Sequence, residues 1–131
     1  VAAVTKEAKT RPAALWLGDR NAAELLISDW VVTEVSSALS LKQRTGQLSE
    51  LGRSASLASF RQLVQLSMTI LPVRRAHFQK ASSYADQFQL GLRGADALHL
   101  AVAADHGATV CTLDRRMDAA GAALGVKTMM L

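Results

Sequence analysis

Apolar residues recur along the chain in two rhythms: short continuous runs, and repeats of three to four residues. The repeats predict helices and the runs predict buried strands. Thr5–Leu17 reads as a helix with Ala8, Ala13, Ala14 and Leu17 on its apolar side, interrupted or kinked at Pro12. Leu25, Leu26 and Ile27 form a short strand candidate within Glu24–Asp29. Ser28 or Asp29 can cap a following helix, Trp30–Arg44, which ends at Gly46. A more polar helix is predicted over Ser49–Leu66, then a strand over Met68–Val73 with Pro72 near its end. Arg75–Phe88 is amphipathic, with Phe78, Ala81, Tyr84, Ala85 and Phe88 at helical spacing. Gly94 or Asp96 opens an Ala/Leu-rich helix that stops at Gly107 and is apolar almost all round, as a central helix would be. Ala108–Leu113 predicts a strand, Arg115–Leu124 a short helix closed by Gly125, and Val126–Leu131 a last strand. Strands alternating with helices predict an α/β fold with a mostly parallel sheet. No internal repeat or linker divides the chain, so residues 1–131 are expected to form a single domain.

Composition narrows the class. Hydrophobic residues make up 50% of the chain, enough for one packed core, and no low-complexity tract suggests disorder. The single cysteine, Cys111, excludes a disulfide framework and reads as a small core residue of a strand. The lack of bridges fits a reducing, cytoplasmic setting. No apolar run reaches the roughly 18 residues of a membrane span, and the first residues do not resemble a signal peptide. A soluble protein is expected. Net charge is +4, which by itself describes an ordinary solvated surface.

Three carboxylates change that picture. On a helical period Glu34 shares a face with Val31, Val35, Ala38 and Leu41, the face expected to meet the sheet. A buried carboxylate needs a cation, a proton or hydrogen-bond donors; the ordinary alternative is a glutamate at the boundary that reaches solvent. Asp96 stands in the first turn of the apolar helix, where capping or the helix dipole would suffice to explain it. Asp114 ends the Ala108–Leu113 strand and enters the next helix. Ligands gather at the carboxyl ends of strands in open α/β sheets, although capping is again the plain alternative. A parallel sheet could bring all three acids to one edge. Clustered carboxylates repel unless a cation neutralises them. Oxygen donors without Cys or His indicate Mg²⁺ or Mn²⁺ rather than zinc, a centre that can activate water for phosphoryl chemistry. Setting Glu34, Asp96 and Asp114 aside leaves eight acids against 15 basic residues, an excess of +7 that suits a phosphodiester substrate.

The same residues resemble a known family. Ile27-Ser-Asp-Trp-Val-Val-Thr-Glu-Val-Ser-Ser-Ala-Leu looks like the second motif of PIN-domain ribonucleases, whose glutamate ligates metal. Arg93-Gly-Ala-Asp-Ala-Leu-His-Leu-Ala is similar to the third, and Thr112-Leu-Asp-Arg-Arg-Met to the fourth. Order and separation agree over almost the whole chain, and VapC toxins of toxin–antitoxin pairs are the members it most resembles. The resemblance implies a three-layer α/β/α domain, Glu34, Asp96 and Asp114 as catalytic metal ligands, and Mg²⁺- or Mn²⁺-dependent endoribonuclease activity. It further implies structured RNA such as transfer RNA as substrate, a homodimer, and inhibition by a cognate VapB-type antitoxin. One departure stands out. The family opens with a strand ending in Asp-x-Ser/Thr, whereas this sequence starts at Val-Ala-Ala-Val-Thr-Lys-Glu-Ala, similar to the segment just past that motif. The first strand and one metal ligand are therefore expected to be missing. Either the sequence is a piece of a longer protein or the protein is inactive; the costly gap left by a lost central strand favours the first.

Secondary candidates carry weaker signals. Arg93 could hold a phosphate or pair with a site acid, Thr112 could orient a ligand or water, and Arg115 and Arg116 could meet RNA phosphates. Arg93 reads as near the site rather than as a plain surface arginine, whereas Thr112, Arg115 and Arg116 are equally at home as ordinary strand or surface residues. Asp118 and His99, one turn beyond Asp114 and Asp96, read as a solvated acid and a packed histidine. His77 and His106 read as superficial, and Trp16 and Trp30 as core. The helices at Thr5–Leu17 and Ser49–Leu66 could meet protein partners if they carry apolar residues beyond the needs of the core. The competing function is a catalytically inactive RNA- or protein-binding module. A phosphoacceptor receiver domain requires an acidic pair near the first strand, which is absent, and Lys127 is a poor stand-in for the rest of that machinery.

Overall fold

The short apolar runs become strands of only three residues each, and the longer periodic segments become the helices around them. A computed structural model describes residues 10–19, 21 and 24–131. Among these are α1 (Thr10–Gly18), β1 (Leu26–Ser28), α2 (Asp29–Arg44), α3 (Glu50–Ser67), β2 (Thr69–Leu71), α4 (Arg75–Ala85), α5 (Gly94–Asp105), β3 (Val110–Thr112), α6 (Arg115–Leu124) and β4 (Thr128–Met130). A 3₁₀ turn, Phe88–Leu90, lies between α4 and α5. The part of the predicted first helix before Thr10 lies outside the described residues. Within α1 as described, Pro12 is the third residue, and the helix runs on past it to Gly18. The fold is α/β with parallel strand pairing, as expected. The contacts divide it into two units, Val1–Pro72 and Val73–Leu131.

In the first unit β1 and β2 pair in parallel, with Leu26, Ile27 and Ser28 opposite Thr69, Ile70 and Leu71. The connection runs through α2 and α3, which bury Val35, Leu39 and Phe60 against one another. Ile27, Val31, Leu48, Leu57 and Val64 close over this cluster. The buried face of α2 is thus the four-residue step Val31–Val35–Leu39. Leu41, assigned to that face from the sequence, is 49% exposed. The stripe drifts because 3.6 residues per turn carries position 41 past the core. Ser28 occupies the N-cap of α2, but its hydroxyl makes no capping bond. At α3, Ser49 Oγ accepts from Gly52 N–H at 3.0 Å.

In the second unit α5 is the central element. Ala97, Leu98, Leu100, Ala101, Val102 and Ala103 are all buried, as its all-round apolar character requires. α4 packs along it through His77, Ala81 and Tyr84. This corrects the phase read from the sequence. Phe78 is 52% exposed, Ala85 is exposed, and Phe88 lies beyond the helix end. A histidine that can be hydrogen-bonded on both ring nitrogens displaced phenylalanine from the buried position. β3 and β4 pair in parallel, Val110, Cys111 and Thr112 opposite Thr128, Met129 and Met130. Cys111 is half-buried there. α6 links the two strands and ends at Gly125, whose φ of 71° is the left-handed cap that glycine adopts without strain. Gly121 on α6 faces β4 so closely that a Cβ would overlap the Thr128 methyl group.

Candidate functional site

The second unit carries two of the predicted acids, each at the start of a helix. Asp96 is the third residue of α5 and is half-buried. Its Oδ2 accepts from the backbone N–H of Arg93 at 3.4 Å, while Ala97 N–H donates to the Arg93 carbonyl at 2.9 Å. Asp114 is the N-cap of α6 and is exposed. Its Oδ1 accepts from Arg116 N–H at 2.8 Å. Thr112, buried at the end of β3, fixes the same residue from the other side: its Oγ1 accepts from Asp114 N–H at 3.0 Å. Asp114 is therefore held at both its backbone and its carboxylate, and its strand-end position is the one the sequence predicts. Both acids also sit where helix N-terminal N–H groups favour negative charge.

Glu34 belongs to the first unit. It lies in α2 next to buried Val35 and is itself half-buried, at the edge of the helix's core face. Arg93, Arg115 and Arg116 are exposed at the starts of α5 and α6. The Arg116 guanidinium donates to the Gly91 carbonyl at 3.5 Å. Asp118 is half-buried, and its carbonyl accepts from Thr128 Oγ1 at 3.3 Å. His99 is half-buried within α5.

A second cluster was not anticipated. His77, read as superficial, is 3% exposed. Its Nε2 lies 3.0 Å from Asp105 Oδ2, and His106 Nε2 lies 3.9 Å from the same oxygen. One potential ligand atom from each of these residues falls within 4.8 Å of the others. His77 Nδ1, however, accepts from the backbone N–H of Arg74 at 3.0 Å. A neutral imidazole that accepts at Nδ1 carries its proton on Nε2. That nitrogen donates to Asp105 and offers no lone pair to a metal. Ligation by His77 would require breaking the cap of α4. The cluster reads instead as a clamp between α4 and α5, and its hydrogen bond from His77 is the main reason the Asp105 carboxyl is held below its ordinary value. The signal missed in the sequence was the phase of α4, which places His77 at the same spacing as Ala81 and Tyr84.

Among the described residues the one group of three possible ligands is His77, Asp105 and His106, yet Asp96 and Asp114 each offer the donor type that a hard divalent cation takes. Those donors are carboxylate oxygens, they are reachable from solvent, and each is oriented by a backbone N–H rather than by a competing cationic side chain. No described helix is long and apolar enough to cross a membrane. A family model described as PIN domain matches residues 1–123. No curated protein matches the chain.

Proposed function

The chain belongs to the PIN-domain family, whose members are typically metal-dependent nucleases, and we propose that it is a Mg²⁺- or Mn²⁺-dependent endoribonuclease of the toxin type. The observation that carries this reading is Asp114 held at the carboxyl end of β3 from both sides, by Thr112 Oγ1 and by Arg116 N–H. A residue serving only as a helix cap needs the second of these bonds but not the first. Asp96 and Asp114 are assigned as metal ligands and catalytic acids, and Glu34 joins them on the strength of its motif.

A divalent ion held by such carboxylates supplies Lewis acidity toward the phosphodiester and lowers the pKa of a water nucleophile. The chain's own residues do the rest. Thr112 fixes the Asp114 backbone and Arg116 N–H in the first turn of α6 orients its carboxylate, so it need not reorganise when the charge of the reacting phosphate increases. Arg93 and Arg115 stand at the same helix starts as the two acids and are assigned to RNA phosphates. The net charge of +4 attracts a polyanion.

Toxins of this kind are controlled by an antitoxin and act as homodimers, and both partners belong to the proposal. Leu15 on α1 and Leu51 and Leu66 on α3 are 61%, 83% and 70% exposed, apolar surface beyond what the core uses. The substrate is assigned as RNA, with transfer RNA as the first to assay. The test is cleavage of a transfer RNA mixture by the full-length protein with Mn²⁺, with Mg²⁺ and with chelator. Cleavage is expected with either ion and absent with chelator. Asp96→Asn should lower kcat by at least about a hundred-fold, the scale of losing a preorganised electrostatic group, while the circular dichroism spectrum is unchanged. Equal cleavage by the Asp96→Asn protein would remove the site.

A further inference from the structure

Phe88 is 89% exposed, an extreme for a phenylalanine, and the chain around it is built to keep it there. The apolar spacing of Arg75–Phe88 would continue α4 and bury this ring. Instead α4 stops at Ala85 and the chain enters a tight turn. Phe88 N–H donates to the Asp86 carbonyl at 2.9 Å, Leu90 N–H to Gln87 at 2.9 Å, and Gly91 N–H to Phe88 at 3.1 Å. Gly91 closes the turn at a φ of 61°, a conformation that other residues adopt only with strain. The half-buried Leu90 anchors the turn, and Phe88 is left outside.

The turn is also tied to the candidate site. Arg116 Nη1 donates to the Gly91 carbonyl at 3.5 Å, and a Cβ on Gly91 would lie 3.4 Å from Arg116 Cδ. The backbone N–H of the same arginine donates to Asp114 Oδ1 at 2.8 Å. The backbone of the turn that carries Phe88 is thus joined through Arg116 to Asp114. A bare aromatic face, a guanidinium and a carboxylate proposed to bind metal are the three groups that meet a base, a phosphate and the bond between nucleotides.

We propose that Phe88 is a platform on which an unpaired base of the RNA substrate stacks. This rests on the nuclease reading of Asp96 and Asp114. Bases in an A-form duplex already stack on their neighbours and present only their edges, whereas unpaired bases can leave the stack for an aromatic ring. A protein partner is the competing occupant. Basic residues favour the nucleic acid: Arg93 follows the turn in sequence and Arg116 bonds its Gly91 carbonyl, against the one acid Asp86 at its start, while the most exposed leucines are on α1 and α3.

The experiment uses the full chain and two probes, oligouridylate and its duplex with oligoadenylate. Affinities are measured in chelator so that nothing is cleaved. Phe88→Ala should weaken oligouridylate binding about ten-fold or more, in line with base–aromatic stacking, and leave duplex binding unchanged. Phe88→Trp should restore the affinity. It should also show indole quenching by oligouridylate beyond that of the wild type, whose signal comes from Trp16 and Trp30. In cleavage assays Phe88→Ala should raise KM with kcat near wild type, whereas Asp96→Asn should lose kcat. Equal oligouridylate affinity in wild type and Phe88→Ala, or no binding by either, overturns the stacking platform even if Asp96→Asn abolishes cleavage. Loss of self-association in Phe88→Ala at unchanged RNA affinity overturns it too, and assigns the ring to a protein contact. Stacking that depends on Phe88 in a protein that cleaves nothing would instead sink the nuclease reading and leave the platform standing.

Discussion

The residue that separates structure from function most clearly here is histidine 77. By composition, a cluster of two histidines and an aspartate invites a transition metal, yet the backbone N–H at Nδ1 commits the His77 Nε2 proton to Asp105. The clamp has a pH signature that follows from the direction of the Asp105 shift. The folded-state pKa is lowered, chiefly by the hydrogen bond from His77. The ionised carboxylate is therefore favoured by folding, and its stabilisation is fully present above the unfolded value of about 3.9. It is lost as pH falls through the lower folded value. Asp105→Ala should lower Tm at neutral pH, and the gap to wild type should close below that carboxylate range. Thermal melts across pH check this; a gap that persists unchanged in acid would show that the lost packing, not the charge, matters. Asp96 and Asp114 were legible in the sequence because they sit where helices begin. His77 was not, since moving the buried face by one position, about 100° round the helix, turns a surface ring into a buried one.

At the scale of elements, the sequence predicted where each helix and strand is centred better than where it ends. Runs such as Met68–Val73 suggested six-residue strands, but pairing extends over three, Thr69–Leu71. The run overstated the strand because its residues are apolar without being buried: Ile70 is 42% exposed. α5 was readable because it is apolar on every side, whereas α4 was not, because its buried face mixes His77, Ala81 and Tyr84. Close contact between elements leaves almost no trace in a sequence, and Gly121 is the example. A Cβ there would overlap Thr128 and lie 3.3 Å from the Val126 carbonyl and 3.4 Å from Leu100 Cδ2. Gly121→Ala should destabilise the protein by about 1–3 kcal/mol of overpacking, against a gain of up to about 1 kcal/mol in helix propensity. Gly94→Ala, where a Cβ meets nothing within 4 Å, should be neutral or slightly stabilising. Urea unfolding midpoints separate the two; equal midpoints would mean that α6 has room to move away from β4.

For the molecule as a whole, the family is legible because three acidic motifs keep their order across most of the chain, and the family model spans residues 1–123. The proposed toxin role, antitoxin and RNA target are less legible, since they would depend on exposed residues such as Leu51, Leu66 and Phe88 that no core constraint fixes. The proposal that binds these scales together is that the motif acids, and not the histidine cluster, hold the divalent ion. Mn²⁺ titration of the full chain, followed by electron paramagnetic resonance, tests it most directly. The account predicts saturable binding that Asp96→Asn and Asp114→Asn each abolish and Asp105→Asn leaves intact. Binding that survives both of the first substitutions, or that disappears with the third, would contradict it.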